Sequence, residues 1–208
     1  MSHPISLKDA ERKVFQSTFA DGLWDIFISF FALQFAIAPL LSRTLGDFWS
    51  SAAFLPLWGG AYLIIRQIRK KVVAPRIGEV EFGAMRKTRL EKFTVTLLII
   101  NIIAFILGIV AALRFTSLPA GGPTLVLGLI LLIGFSTAAY FLDFLRLYAY
   151  GLLGALGTQI GEWLYQNMGA SHHGFPIVFG FTAGVMFLTG LVIFIRFLRD
   201  NPLPAGDM

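Results

Sequence analysis

FTVTLLIINIIAFILGIVAAL, residues 93–113, is the stretch that decides the fold of this 208-residue chain. It contains no charged residue, and Asn101 is its only amide side chain. An apolar segment of roughly 20 residues is long enough to cross the hydrocarbon core of a bilayer as a helix. The segment therefore predicts a membrane-spanning helix.

The same pattern recurs on both sides of this segment. A fifth apolar stretch follows the fourth without a Gly/Pro-rich connector, and we expect the chain to turn between them at Asp143–Arg146, where charged side chains reach the interface. The sequence therefore predicts an all-α, polytopic transmembrane helical bundle forming a single integral membrane domain. Its six spans are 22–41, 48–65, 93–113, 123–142, 147–165 and 175–197.

Composition agrees with a membrane protein. The chain is 56% hydrophobic and only 14% charged, with a mean hydropathy of +0.74, whereas soluble domains are about 25% charged. It has no Cys, which excludes disulfides, thiolate zinc sites and iron–sulfur ligation. We expect no cofactor and no bound metal.

The polar loop 66–92 orients the predicted bundle. It holds nine of the 17 Lys and Arg residues, and such loops stay on the cytoplasmic side. Six spans then place both termini in the cytoplasm. Of the Lys and Arg residues, only Arg43 and Arg114 then lie outside. The expected location is a prokaryotic plasma or inner membrane. Because the cations flank apolar spans, we expect anionic lipid headgroups as partners rather than nucleic acid.

The centre of this loop, VVAPRIGEVEF, differs from its flanks. Its β-branched residues favour extended structure and Pro75 opposes a helix, so we expect a small hairpin-like element at residues 72–82. It would serve as a connector or as a docking site for lipid or a partner. The cations expected to face lipid or a partner are Arg69, Lys70, Lys71, Arg76, Arg86, Lys87 and Arg89.

The string PRIGEVEF, residues 75–82, resembles the Pro-Arg-x-Gly-x-Val loop of certain small multi-pass integral membrane proteins of prokaryotes. This resemblance implies a membrane topology. It implies no activity and no catalytic residue.

Four charges are expected at the inner interface: Asp21, Asp25, Asp143 and Arg146. Asp21 and Asp25 are four residues apart and share a helical face. They form either a proton or cation site or simply an acidic helix start, which the helix dipole favours. We expect one of them to pair with Arg146.

Four polar residues are expected inside the membrane: Gln34, Asn101, Gln159 and Glu162. They form either helix–helix hydrogen bonds or a polar substrate path. Glu162 lies near Trp163 and Tyr165, so a hydrated interfacial position is the alternative to a functional one. His172 and His173 follow in the next loop, but the sequence lacks the three or four convergent ligands that zinc needs.

Small residues mark the expected helix contacts. Pairs with Gly-x-x-x-Gly spacing in the last two spans allow close packing, either between these spans or against a second copy of the chain. These pairs are Gly157 with Gly161 and Gly180 with Gly184.

No enzyme motif is recognisable, and three functional hypotheses stay open. The first is a small transport protein, or the membrane subunit of a transport complex, acting as a homo-oligomer or with a partner. The second is a non-catalytic membrane anchor or assembly factor that docks a cytosolic partner through loop 66–92. The third is a membrane-embedded enzyme that modifies headgroups, with Glu162, His172 and His173 at the outer face.

Overall fold

The computed structural model describes residue 15 and residues 19–77, 84–113 and 121–203. Among these residues 91% are helical and none is in a strand, which confirms the all-α class. The six helices are α1 (Leu23–Ala52), α2 (Phe54–Ile68), α3 (Ala84–Leu113), α4 (Gly122–Leu142), α5 (Arg146–Met168) and α6 (Phe175–Asp200).

Four regions of helix are long and apolar enough to cross a membrane, which supports a membrane protein. They lie in α1, in α3 at Leu90–Leu107, in α4, and in α6 with the turn before it, His172–Asp200. The other two predicted spans differ from these four. Helix α2 has only 15 residues, and α5 contains Gln159, Glu162 and Gln166. The count of six spans and the cytoplasmic termini stay predictions.

Helix α1 continues well past the end of the predicted first span. The hydroxyls of Ser42, Thr44 and Ser50 each donate a hydrogen bond to the carbonyl three residues earlier. These side chains are therefore satisfied within the helix. The helix is interrupted only at Gly46, where φ is 77° and ψ is 163°. Glycine tolerates this conformation because it has no Cβ.

The extended element expected at residues 72–82 is wrong for its first half. The helix continues from α2 through a π-helical turn, Arg69–Val73, and a short helix, Ala74–Ile77. The N–H of Ala74 donates to the carbonyl of Arg69, five residues earlier. This wider turn accommodates Pro75, whose ring would otherwise clash in a regular helix. Burial of Val73 outweighs its weak extended preference. The second half, 78–82, lies outside the described residues.

The chain turns between α4 and α5 where the charges of Asp143 and Arg146 predicted. Asp143 adopts a left-handed conformation with φ 51°, and its N–H donates to the carbonyl of Ala139. Helix α5 begins at Arg146. The guanidinium of Arg146 lies 4.9 Å from the centre of the Phe144 ring. A left-handed residue after the last helical turn is a common helix ending.

The helices form two compact units. The first contains α1, α2, the π turn and α6 from Gly180 onward, and the second contains α3, α4, α5 and α6 up to Phe179. The core of the first unit includes Leu23, Ile65 and Val73. The π turn therefore belongs to a packed core and is not a free loop.

Glycines bring α4 and α5 together in the second unit. A Cβ at Gly128 would lie 2.5 Å from Oγ1 of Thr158, and a Cβ at Gly151 would lie 2.8 Å from Cβ of Phe135. Real Cβ atoms do not approach neighbours this closely, so both positions need glycine. This contact differs from the Gly-x-x-x-Gly pairs that the sequence highlighted.

The predicted glycine contacts have mixed outcomes. A Cβ at Gly157 would lie 3.3 Å from Val178, and one at Gly161 would lie 2.6 Å from the carbonyl oxygen of His173. A Cβ at Gly180 would lie 3.9 Å from Ala36 of α1, whereas one at Gly184 would have nothing within 4 Å among the described residues. Gly161 is therefore the most constrained of the four.

Candidate functional site

A carboxylate–imidazole pair lies between α5 and α6. Oε2 of Glu162 is 2.8 Å from Nδ1 of His173, and the side chains are 11% and 48% exposed. Oε1 of Glu162 accepts a hydrogen bond of 2.8 Å from Nε2 of Gln166, one helical turn later. Both carboxylate oxygens are therefore held, while the imidazole stays half exposed.

A left-handed turn brings His173 to Glu162. His172, His173 and Gly174 have φ values of 52°, 53° and 63°. Residues other than glycine rarely adopt this conformation, and each such residue costs on the order of 1 kcal/mol. Strain of this kind concentrates at functional sites.

Close backbone contact holds the turn in place. A Cβ at Gly161 would lie 2.6 Å from the carbonyl oxygen of His173, and one at Gly174 would lie 2.5 Å from the carbonyl oxygen of Gly161. The turn can therefore lie against α5 only because both residues are glycine. Sequence reasoning assigned Gly161 to helix packing and missed Gly174.

The surroundings fix the orientation of both side chains. The His173 ring lies 4.5 Å from the centre of the Tyr165 ring. A Cβ at Gly121, the residue before α4, would lie 3.6 Å from Cγ of Glu162. Glu162 is thus next to the N-terminus of α4, whose positive dipole end favours a carboxylate.

The geometry assigns different roles to the two imidazole nitrogens. When Glu162 is ionised its carboxylate only accepts hydrogen bonds, so in that state the N–H at Nδ1 of His173 donates a hydrogen bond to Oε2 of Glu162. Nε2 is then the imidazole nitrogen with an available lone pair, and it makes no hydrogen bond to the described residues. A histidine oriented by a carboxylate in this way suits proton transfer.

The site shows no metal-binding arrangement. Within the described part of the chain, no three His, Asp or Glu side chains are grouped closely enough to hold a metal ion. His172 does not join the pair, because its buried Nδ1 has no hydrogen-bond partner there. Only one of the two neighbouring histidines therefore takes part.

A second charged pair lies in the first unit. Nη2 of Arg69 is 2.8 Å from Oδ2 of Asp21, and the side chains are 29% and 1% exposed. Oδ1 of Asp21 accepts from the N–H of Leu23 at 3.0 Å. Either Asp21 or Asp25 was expected to pair with Arg146, and the partner found for Asp21 is Arg69, a cation expected to face lipid. A pairing of Asp25 with Arg146 stays a prediction.

Close packing surrounds this second pair. Asp25 is fully buried, and a Cβ at Gly190 of α6 would lie 2.9 Å from Cβ of Asp25 and 2.8 Å from the carbonyl oxygen of Gly22. The guanidinium of Arg69 lies 5.9 Å from the centre of the Trp24 ring. Sequence reasoning missed Gly22 and Gly190, because no local pattern shows that they meet.

The remaining predicted membrane amides do not join either pair. Nδ2 of Asn101 donates to the carbonyl of Leu97 in its own helix, and Nε2 of Gln159 donates to Oγ1 of Thr158. Both side chains are exposed. Oε1 of Gln34 is buried without a hydrogen-bond partner among the described residues. No hydrogen bond there joins any two of the four predicted membrane residues.

The predicted lipid-facing cations differ among themselves. Lys70 and Lys71 are exposed, while Arg76 is half-buried and donates Nη1 to the carbonyl of Val72. The side chains of three others, Arg86, Lys87 and Arg89, lie outside the described residues.

Comparison of the chain with protein-family models, curated proteins and solved structures finds no match.

Proposed function

We propose that this chain is a small proton-coupled transport protein of a prokaryotic plasma membrane, or the membrane subunit of a transport complex. The observation that carries the proposal is the Glu162–His173 pair, in which the carboxylate holds Nδ1 of the imidazole while the ring stays half exposed. Carboxylates and histidines in apolar helical proteins commonly mark proton relays.

The chemistry of the pair suits the transfer of protons near neutral pH. Histidine is the side chain whose charge most readily changes in that range. A proton bound at Nε2 makes the ring an imidazolium, and the Glu162 carboxylate 2.8 Å away balances its charge. Because the His173 ring is half exposed, water screens part of this charge balance, while the buried Glu162 carboxylate stays in place beside the ring.

Proton uptake by proteoliposomes tests this proposal. The full chain is reconstituted in liposomes, a pH difference is imposed, and a pH-sensitive dye follows the lumen. We expect uptake above that of empty liposomes, and we expect His173→Gln and Glu162→Gln to reduce it to the empty-liposome rate.

His172→Gln is the matched control. Its φ is 52° against 53° for His173, so both substitutions carry similar backbone strain. His172 makes no hydrogen bond to Glu162, so the His172→Gln variant should retain full proton uptake. Wild-type uptake equal to that of empty liposomes, or equal losses in both histidine variants, would contradict the proposal.

The same pair favours a second candidate, a membrane-embedded enzyme acting on lipid headgroups. A histidine oriented by a buried carboxylate is also what a general base requires to activate water. Incubation of the purified protein with phospholipid micelles, followed by mass spectrometry of the lipids, separates the two. Loss of headgroups that the His173→Gln substitution abolishes would favour the enzyme. Unchanged lipid would favour the transport protein.

A further inference from the structure

One face of the helix that extends α2 carries exposed positive charge. Arg66, Lys70 and Lys71 are all exposed, whereas Val73 is buried in the core of the first unit and Arg69 pairs with the buried Asp21. Residues four apart lie on the same helical face, which places Arg66 and Lys70 together. The nine cations of loop 66–92 are therefore not equivalent.

The basic face continues an exposed apolar face. Leu63 and Ile64 of α2 are 55% and 59% exposed, and they lie seven residues before Lys70 and Lys71. Seven residues are two helical turns, about 10 Å along the axis.

We propose that this basic face, formed by Arg66, Lys70 and Lys71, binds the phosphate of an anionic phospholipid. The acyl chains of that lipid lie along Leu63 and Ile64. A free phosphate or a soluble acidic protein would use the cations but would leave the adjoining apolar face uncovered. The proposal is independent of proton transport.

The Asp21–Arg69 pair holds the basic face in place. Arg69 immediately precedes Lys70 and Lys71, and its ion pair with buried Asp21 fixes the start of the π turn. Val73, at the end of that turn, is only 3% exposed. The helix backbone is therefore ordered before any lipid binds, which lowers the entropy cost of binding.

Native mass spectrometry of the full chain in detergent tests the proposal. The protein is titrated with phosphatidylglycerol or phosphatidylcholine, and the lipid-bound fractions are compared. We expect the wild type to prefer phosphatidylglycerol. Replacing Arg66, Lys70 and Lys71 by Gln should weaken this preference on the order of fivefold for each cation removed.

The control removes three exposed cations from other places, with Arg43→Gln, Lys92→Gln and Arg196→Gln combined. This variant has the same net charge and should keep the wild-type preference. If the basic-face triple variant does not fold, Lys70→Gln alone carries the test.

Three results would overturn the proposal. The first is equal binding of the two lipids by the wild type. The second is an equal loss in both triple variants, which would show that only total charge matters. The third is displacement of phosphatidylglycerol by millimolar-range glycerol phosphate, which would assign the face to soluble phosphates.

Discussion

The Asp21–Arg69 and Glu162–His173 pairs differ in how much water each can reach. In the Asp21–Arg69 pair the carboxylate is 1% exposed and the cation 29%, whereas His173 of the Glu162–His173 pair is 48% exposed. The first joins Asp21, just before α1, to Arg69, just after α2, and these residues are 48 apart in sequence. The second joins residues only 11 apart, on the two sides of the connection from α5 to a strained turn.

From this difference we infer a structural role for the Asp21–Arg69 pair and a chemical role for the Glu162–His173 pair. Arginine stays charged at all ordinary pH values, so the Asp21–Arg69 pair is permanent and fixes the backbone. Histidine is the side chain whose charge most readily changes near neutral pH, and the proposed function assigns such a change to the Glu162–His173 pair. We therefore expect substitutions in the first pair to reduce stability and substitutions in the second to reduce function.

The largest effect is expected from Arg69→Ala. It leaves the Asp21 carboxylate buried without its cation, and breaking such a pair costs about 3 kcal/mol of unfolding free energy. Thermal unfolding in detergent, followed by tryptophan fluorescence, measures the loss. Lys70→Ala, at the adjacent exposed position, is the control and should change stability by less than about 0.5 kcal/mol. Equal melting temperatures for the two variants would show that the pair is not structural.

A somewhat smaller effect is expected from Gly161→Ala. The new methyl would lie 2.6 Å from the His173 carbonyl oxygen and push the turn away from α5. Overpacking of this kind costs about 1–3 kcal/mol, and proton uptake should fall because His173 moves from Glu162.

Gly184→Ala is the control for this substitution, since nothing described lies within 4 Å of its Cβ position. It should melt at or slightly above the wild-type temperature, because alanine is the better helix former. If Gly161→Ala behaves in the same way, the turn does not depend on the close contact.

Glu162→Gln should cost still less stability, under about 1 kcal/mol, because half of the His173 ring already contacts solvent. Glutamine also keeps an oxygen that can accept from Nδ1. Chemical denaturation of the variant beside Arg69→Ala compares the two pairs directly. A loss as large as that of Arg69→Ala would remove the distinction between them.

The smallest effect is expected from Asn101→Leu. Its amide is exposed and bonds only the carbonyl of Leu97, so stability should change by less than about 0.5 kcal/mol. Proton uptake should be unchanged in the proteoliposome assay. Loss of uptake would place a polar path along α3 and would mean that the Glu162–His173 pair does not act alone.

The helical class followed from the sequence because apolar length alone defines such helices. The bounds of the predicted segments 123–142 and 175–197 agree closely with those of α4 and α6. The helical structure of residues 69–77 could not be predicted from the sequence, because Val72, Val73 and Pro75 locally favour extended structure. Packing of Val73 against Leu23 and Ile65 decides between the two, and local propensity does not reveal it.

The candidate site was partly predictable. Glu162 and the two histidines were recognised as an unusual group, but the choice of His173 over His172 depends on left-handed backbone angles. No local sequence pattern predicts left-handed backbone angles at residues other than glycine. Likewise, nine similar cations in one loop give no indication that Arg69 is a partner of Asp21.

The most direct test compares His173→Gln with Asp21→Asn, measuring proton uptake per folded molecule and melting temperature on the same preparations. We predict that His173→Gln loses uptake at a nearly unchanged melting temperature. Asp21→Asn should melt earlier but keep wild-type uptake per folded molecule. The opposite pattern, or uptake lost equally in both variants, would contradict the division between a structural pair and a chemical pair.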